Sequence, residues 1–210
     1  MKKIAVSIHA RNNFNPNVIK DLDELDYIHV DVADGKFANV RYINLDTFRI
    51  LKENYNIPII AHMMVFNPFD YIDKIIKYLH SFTFHLEIEG DKWPIINEIK
   101  NRGKNIGIAI NPNTKISELI PYLDAIDLVL VLCVYPGRAG QKFIPQSIDK
   151  VNRLIVYKKD FDFEIEVDGG INLENAEKLN ADILSSTSTI LNSKNPNTII
   201  QLLKHSERYK

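Results

Sequence analysis

The chain lacks the features that would tie it to an oxidising compartment, a membrane or a nucleic acid. Its single cysteine, Cys133, cannot form a disulfide within the chain, and its start, MKKIAVSIHARNN, has no apolar stretch of signal-peptide length. No apolar run approaches the roughly 18 residues that cross a bilayer, and the longest strand-like run spans residues 128–134. With 26 basic and 27 acidic residues, no net field favours nucleic acid or an anionic membrane. We expect a cytoplasmic protein without nucleic-acid or membrane partners.

Apolar periodicity predicts alternating strands and helices in one domain, residues 1–210. Short β-branched and aromatic runs mark eight strands, at residues 4–8, 27–32, 57–61, 82–86, 106–110, 128–134, 163–167 and 183–184. Segments with helical spacing lie between them, at residues 45–55, 71–79, 95–102, 147–157 and 173–179. Such alternation is typical of parallel strands joined by crossover helices, and eight units in 210 residues fit a compact (β/α)₈ barrel. A doubly wound open sheet is the alternative.

Polar residues stand where three of these strands end, the edge at which barrels of this type carry their active sites. In YIHVDVADG, His29 and Asp31 are two residues apart and so share one face of the second strand. The third strand ends at His62, in IIAHMMV, and the seventh at Asp168, in EIEVDGGIN. Each alone has a structural explanation, as a hydrogen-bonded core histidine or as part of a tight turn. Together, two imidazoles and two carboxylates form a ligand set suited to Zn²⁺, Mn²⁺ or Fe²⁺.

Three loops rich in small residues are candidates for binding phosphate, because such loops expose backbone N–H groups near the start of a helix. They follow the sixth, seventh and eighth strands, at residues 136–141, 169–170 and 185–188. Ordinary turn chemistry explains each of them equally well, so none is specific by itself.

These residues resemble ribulose-phosphate 3-epimerases, in order along nearly the whole chain. The matching segments are HVDVADGKF, AHMMVFNPFDYI, FTFHLE, GIAINPNT, VYPGRAGQKFIPQSIDKV, IEVDGGIN and ADILSSTS. The resemblance implies a (β/α)₈ TIM barrel of the ribulose-phosphate-binding type and a homo-oligomer. It also implies a phosphorylated ketose as substrate, with epimerisation of ribulose 5-phosphate to xylulose 5-phosphate or of a related sugar phosphate.

The resemblance assigns roles to individual residues. One divalent metal ion, Zn, Mn or Fe, is expected to bind to His29, Asp31, His62 and Asp168. Asp31 and Asp168 are also expected to act as acid and base on opposite faces of the sugar carbon, while the metal stabilises the enediolate. Further contacts with the sugar are expected from Ser7 and Met64. Contacts with its phosphate are expected from Gly137, Gly140, Gly169, Gly170 and Ser188.

Departures from the family pattern lie around the substrate. The family's Asn-Pro-Gly-Phe-Gly-Gly-Gln loop is here Tyr-Pro-Gly-Arg-Ala-Gly-Gln, in which Arg138 offers a bidentate grip on phosphate. The usual glycine of the last strand is Thr187, a leucine of the first strand is His9, and two expected methionines are Ala33 and Leu132. The substrate is therefore ribulose 5-phosphate, a longer ketose phosphate or a modified sugar.

Two other functions are open. A sugar-phosphate lyase, either an aldolase or a decarboxylase, would need an Asp-x-Lys-x-x-Asp segment, whereas the second strand has no lysine between Asp31 and Asp34, although Lys36 is near. A non-catalytic sugar-phosphate binding protein would explain the altered phosphate loops. It would have no physical need for all four metal positions, which counts against it.

Overall fold

The computed structural model describes residues 1–137 and 140–206, and in these ranges eight parallel strands close a barrel. The strands are β1 (Lys3–His9), β2 (Tyr27–Asp34), β3 (Arg41–Tyr42), β4 (Ile59–Met64), β5 (Ser81–His85), β6 (Asn105–Ile110), β7 (Leu128–Leu132), β8 (Glu164–Asp168) and β9 (Ile183–Ser186). Barrel neighbours follow the order β1-β9-β8-β7-β6-β5-β4-β2, and β1 pairs with β2 to complete the ring. The predicted (β/α)₈ barrel is confirmed, and the open sheet is excluded because its two edge strands would stay unpaired.

The short strand β3 is the one that lies outside the barrel in the described ranges. It pairs antiparallel with the end of β2, through Ala33 with Tyr42 and Asp34 with Arg41. The sequence pattern did not indicate it, because two residues are too few to show alternation. Its Tyr42 stacks on His9, the last residue of β1, so β3 lies at the end of the barrel where β1 and β2 finish.

Eight α-helices are described, and they cover the outside of the barrel. They are α1 (Asp46–Asn54), α2 (Phe69–Ile75), α3 (Trp93–Asn101), α4 (Ile116–Leu119), α5 (Gln146–Tyr157), α6 (Leu173–Ala176), α7 (Ser188–Leu191) and α8 (Pro196–Lys204). The segment between β1 and β2 departs from the alternation, since it forms only a 3₁₀ turn, Pro16–Ile19, whose start Asn15 caps. No helix within 1–137 or 140–206 is long and apolar enough to cross a membrane.

Hydrophobic packing lies mainly between the strands and the helices. Alternate residues of β2, such as Ile28 and Val30, join this core together with Phe48 and Leu51 of α1. Inside the barrel, a smaller apolar layer closes the end at which the strands begin, formed by Ala5, Tyr27, Ile60, Leu128 and Ile183. Burying these apolar surfaces supplies most of the driving force for the fold.

Above that apolar layer, the interior of the barrel is polar. His29, His62, His85 and Glu166 are almost completely buried there, inside a barrel that apolar side chains would otherwise fill. Buried imidazoles and carboxylates cost free energy unless they are paired or bind a cation. The polar interior therefore leads directly to the strand ends at which a site was predicted.

Candidate active site

The parallel register brings the four predicted metal ligands together. It pairs Asp31 of β2 with His62 of β4, while Asp168 ends β8. One ligand atom from each of His29, Asp31, His62 and Asp168 lies within 4.8 Å of the other three. The convergence proposed from strand-end positions is thus present in the structure.

Asp31 is the centre of this cluster. Its Oδ1 lies 3.2 Å from His29 Nε2 and 2.7 Å from His62 Nδ1. Its Oδ2 accepts a hydrogen bond of 3.1 Å from the Ser7 hydroxyl and lies 3.7 Å from His9 Nε2. Ser7, predicted to contact substrate, therefore also orients the carboxylate.

A second carboxylate orients His29 from behind. Glu166 Oε1 lies 2.6 Å from His29 Nδ1 and also accepts a hydrogen bond from the Ser185 hydroxyl. Because a carboxylate only accepts, Nδ1 of His29 carries a proton, and Nε2 is the ring nitrogen that faces Asp31. This is the arrangement in which a metal-ligating histidine is usually held.

His62 is linked to two further polar side chains on the side of its ring away from Asp31. Its Nε2 lies 2.9 Å from Nε2 of His85, and Nδ1 of His85 lies 2.9 Å from Oε2 of Glu87. The sequence analysis did not single out Glu166, His85 or Glu87 as functional residues. Strand alternation was the available signal for Glu166, which is two residues from Asp168 on β8.

The two aspartates of the cluster have opposite electrostatic environments. Burial acts to raise the pKa of Asp31, but hydrogen bonds and charge from His29 and His62 outweigh it and hold that pKa well below its usual range. Burial raises the pKa of Asp168 to about 7, and the negative charges of Asp31 and Glu166 add to this effect against the opposing charge of His29. Near neutral pH, one carboxyl is ionised and the other is close to its midpoint.

The donor set fits a divalent cation. Burial lowers the pKa of His62 to about 4, so this imidazole is neutral and can donate a lone pair. Two carboxylates placed together in a mostly buried site repel each other unless a cation lies between them. Imidazole nitrogens with carboxylate oxygens are the mixture that Zn²⁺, Mn²⁺ and Fe²⁺ accept.

A cavity of about 150 Å³ opens above the cluster. Asp31, His62 and Asp168 form part of its wall, whereas His29 lies beneath them and is fully buried. The other predicted substrate-contacting residues that the structure describes all line the same cavity, namely Ser7, Met64, Gly137, Gly140, Gly169, Gly170 and Ser188. Arg138, the remaining one, lies outside the described residues.

The loop after β8 needs its glycines for conformation and for space. Gly169 has φ +108°, and a Cβ there would lie 2.5 Å from Cγ2 of Val134. Gly170 has φ +67°, and its Cβ would lie 3.0 Å from the backbone N of Phe143. The turn explanation of this Asp-Gly-Gly segment is therefore correct, and the same turn places both residues at the cavity wall.

Four of the departures from the family pattern also line the cavity, at His9, Leu132, Tyr135 and Thr187. The Thr187 hydroxyl donates a 3.0 Å hydrogen bond to the carbonyl of Ser7, which ties the end of β9 to β1. The His9 ring stacks on Tyr42 of β3 with 4.4 Å between ring centroids. The cavity therefore differs from the family pattern in part of its wall, while it keeps all four predicted metal ligands.

Comparison with known proteins identifies the family. A profile of the ribulose-phosphate 3 epimerase family matches residues 3–191. The chain belongs to this family. It is 34% identical over 189 residues to the ribulose-phosphate 3-epimerase, cytoplasmic isoform, of Oryza sativa subsp. japonica, covering 86% of this chain and 82% of that protein. It is 36% identical over 179 residues to the ribulose-phosphate 3-epimerase of Buchnera aphidicola subsp. Baizongia pistaciae, covering 81% and 78%.

Membership of this epimerase family confirms the prediction of an isomerase, and of a family that acts on phosphorylated sugars. Solved structures with similar folds include 3-hexulose-6-phosphate synthase from Salmonella typhimurium, at TM-score 0.70 and 16% identity over 97% of each chain. KGPDC from Streptococcus mutans matches at TM-score 0.71 and 13% identity over 98% of this chain and 97% of its own. At these identities the likeness is one of fold alone.

Proposed function

We propose that the protein is a metal-dependent 3-epimerase of a ketose phosphate. The observation that carries this proposal is the pair Asp31 and Asp168, two carboxyls in the wall of one cavity. Inverting a carbon centre needs a base on one face and an acid on the other, and two carboxyls supply both. They reach the cavity from β2 and β8, which β9 and β1 separate in the barrel.

The proton is moved by these two side chains. One of the two carboxyls accepts the proton from the substrate carbon, and the other returns one to the opposite face. In the reverse direction the two roles exchange. His29 and His62 hold Asp31 in place by their contacts with its Oδ1.

His29, Asp31, His62 and Asp168 would hold one Zn, Mn or Fe ion. When bound, such an ion stabilises the negative charge that forms on the substrate oxygens during proton removal. The four residues would offer one ligand atom each.

The phosphate of the substrate is assigned to the loops after β7, β8 and β9. Gly137, Gly140, Gly169, Gly170 and Ser188 would face it, with Ser7 and Met64 nearer the sugar. We extend this proposal to Arg138, which the sequence places in the first of these loops. The substrate is ribulose 5-phosphate or a longer or modified ketose phosphate. The homo-oligomeric state and the cytoplasmic location stay predictions.

Proton exchange tests the proposal directly. Purified protein supplied with Zn²⁺, Mn²⁺ or Fe²⁺ should exchange the C3 proton of at least one C5 to C7 ketose phosphate with D₂O, as followed by NMR. Asp168→Asn should lower the exchange rate at least about 100-fold, because it removes one proton-transfer group. Asp124→Asn, at an exposed carboxyl far along the chain from the cluster, is the matched control and should leave the rate unchanged. The proposal fails if no substrate exchanges with any of the three metals.

The same assay separates the other two functions. A lyase would release formaldehyde or CO₂, but none of the described residues that line the cavity is a lysine, and Lys36 is exposed. A non-catalytic binding protein would bind a sugar phosphate without exchange, and Asp168→Asn would then have no rate to lower.

A further inference from the structure

The side chains behind His62 form a hydrogen-bonded row that runs from the cavity floor into the barrel wall. The row consists of His62, His85 and Glu87, joined by the two 2.9 Å contacts described above. His85 is fully buried, and Phe37 lies against its ring with 4.5 Å between centroids. The barrel wall here thus holds polar groups at a place that apolar side chains could fill at lower cost.

Glu87 determines which nitrogens of the row donate hydrogen bonds and which accept them. Its Oε1 accepts hydrogen bonds from the backbone N–H of Asn111, at 2.8 Å, and from the Thr114 hydroxyl. Its Oε2 is left for Nδ1 of His85. Burial acts to raise the pKa of Glu87, but the contact with His85 and these hydrogen bonds outweigh it and lower that pKa, so the group is a carboxylate. A carboxylate only accepts, so His85 carries its proton on Nδ1.

The positions of the other ring protons in the row follow from the proton on His85 Nδ1. When the His85 ring holds one proton, on Nδ1, its Nε2 is bare and can only accept. The 2.9 Å contact then requires that His62 donates from its own Nε2. The other ring nitrogen of His62, Nδ1, faces the cluster at 2.7 Å from Asp31 Oδ1. With its proton on Nε2, the ring therefore presents a bare Nδ1 at the place where a metal ion would bind both this nitrogen and the Asp31 carboxylate.

We propose that His85 and Glu87 are positioning residues, which fix His62 in the tautomer that presents Nδ1 to the metal. The inference rests on the proposed function, because it concerns the same metal cluster. His29 is the internal comparison, since Glu166 contacts its Nδ1 directly and leaves Nε2 for the metal. The two ligand histidines therefore use different nitrogens, and each choice is set by a carboxylate on the far side of the ring.

Glu87→Gln is the sharpest test, because it keeps the shape of the side chain and reverses the direction in which the hydrogen bonds of the row are donated. The backbone N–H of Asn111 can only donate, so it holds the oxygen of the new carboxamide and turns the carboxamide NH₂ towards His85. His85 then accepts at Nδ1, donates from Nε2, and forces His62 to keep its proton on Nδ1. We expect zinc affinity, measured by competition with a chelator, to fall about 10- to 100-fold.

Two further variants separate positioning from packing. Thr114→Val removes one hydrogen bond to Glu87 but leaves the donors and acceptors of the row unchanged. Zinc affinity should therefore stay within about threefold of the parent's, a smaller loss than the one expected for Glu87→Gln. His85→Gln offers a carboxamide oxygen to His62 Nε2, and introducing Glu87→Gln into that background should then have little effect. Long-range ¹H–¹⁵N spectra of the zinc-loaded protein should show zinc on Nδ1 of His62 and on Nε2 of His29.

The outcomes are distinct. Unchanged zinc affinity in Glu87→Gln, or a zinc-bound Nε2 of His62 in the spectra, overturns this inference and leaves the proposed function standing. A parent protein that binds no zinc, manganese or iron overturns the metal site of the proposed function and this inference with it.

Discussion

At the scale of single residues, Asp31 and Asp168 show how position decides the chemistry of one side-chain type. Asp31 is surrounded by groups that donate to it or bear positive charge, whereas Asp168 faces two other carboxylates. The sequence contains both aspartates but not this difference. The difference between the two pKa values arises because the barrel places His29 beside Asp31 and Glu166 beside Asp168.

The raised pKa of Asp168 predicts a stability cost that depends on pH. Folding raises this pKa from its ordinary 3.8 to about 7, so the folded protein favours the neutral carboxyl. The cost of ionising it is absent below pH 4, grows as the pH rises, and is complete above about 7. Asp168→Asn removes the ionisable group, so the metal-free variant should be more stable than the metal-free parent by about 1–3 kcal/mol at pH 8, with a smaller difference at pH 5.

Urea denaturation of the two metal-free proteins at both pH values measures this difference. Asp124→Asn serves again as the control, and it should unfold like the parent at each pH. Equal stabilities of Asp168→Asn and the parent at pH 8 would show that the folded protein does not resist ionisation of Asp168.

The convergence of the four proposed ligands could be predicted from the sequence, because these residues lie on three strands of a parallel barrel and alternation turns them to its interior. The row behind His62 could not be derived in the same way. His62 pairs in register with Thr83, and His85 reaches it from two residues further along β5. That contact depends on the stagger between neighbouring strands, which a hydrophobic pattern does not specify.

At the scale of secondary-structure elements, each predicted strand overlaps a barrel strand, because the strands are buried on both faces and so appear as nearly continuous apolar runs. Predicted helices are displaced by one or two residues at most of their ends, or shortened, as at α6. The 71–79 segment divides into α2 and a 3₁₀ turn, Ile76–Tyr78, since both forms bring its apolar residues to the core. The absent helix between β1 and β2 was not predictable from alternation alone.

The turn after β8 supplies a prediction at this scale. Gly169→Ala should destabilise the protein by about 2–4 kcal/mol, because the positive φ strains an alanine and its Cβ meets the Val134 side chain at 2.5 Å. Gly103→Ala is the control, since its φ is also positive but nothing lies within 4 Å, and it should cost only about 1 kcal/mol.

A double variant distinguishes strain from collision. Adding Val134→Ala to Gly169→Ala removes the side chain that the new Cβ meets, and should recover the part of the loss that comes from collision. Denaturant unfolding of the four proteins measures the coupling. If Gly169→Ala and Gly103→Ala cost the same, the close packing against Val134 contributes nothing.

At the scale of the whole molecule, the barrel divides stability and function between its two ends. The apolar layer of Ala5, Tyr27, Ile60, Leu128 and Ile183 closes one end, and the polar cluster with its cavity occupies the other. The sequence indicated this division only through which strand ends were polar. The cavity itself is formed by residues from many strands and loops, so its shape required the folded chain.

The proposed metal ligands come from β2, β4 and β8, which the closed barrel brings together. A metal should therefore bind the folded state much better than the unfolded chain, and binding should stabilise the whole barrel. At a free concentration 100 times the dissociation constant, the gain is about 2.7 kcal/mol, which corresponds to a rise in Tm of about 5–10 °C for a chain of this length. Removing the metal with a chelator should reverse the rise.

Calorimetry of the metal-free, zinc-loaded and chelator-treated protein measures this effect. Mg²⁺ is a matched control, because it prefers oxygen ligands and should give a much smaller rise than Zn²⁺ at a cluster with two imidazoles. Asp168→Asn should also reduce the rise with Zn²⁺, since one of the four ligands loses its charge. A Tm that zinc leaves unchanged would mean that the buried histidines and carboxylates are balanced by hydrogen bonds alone, without need of a cation.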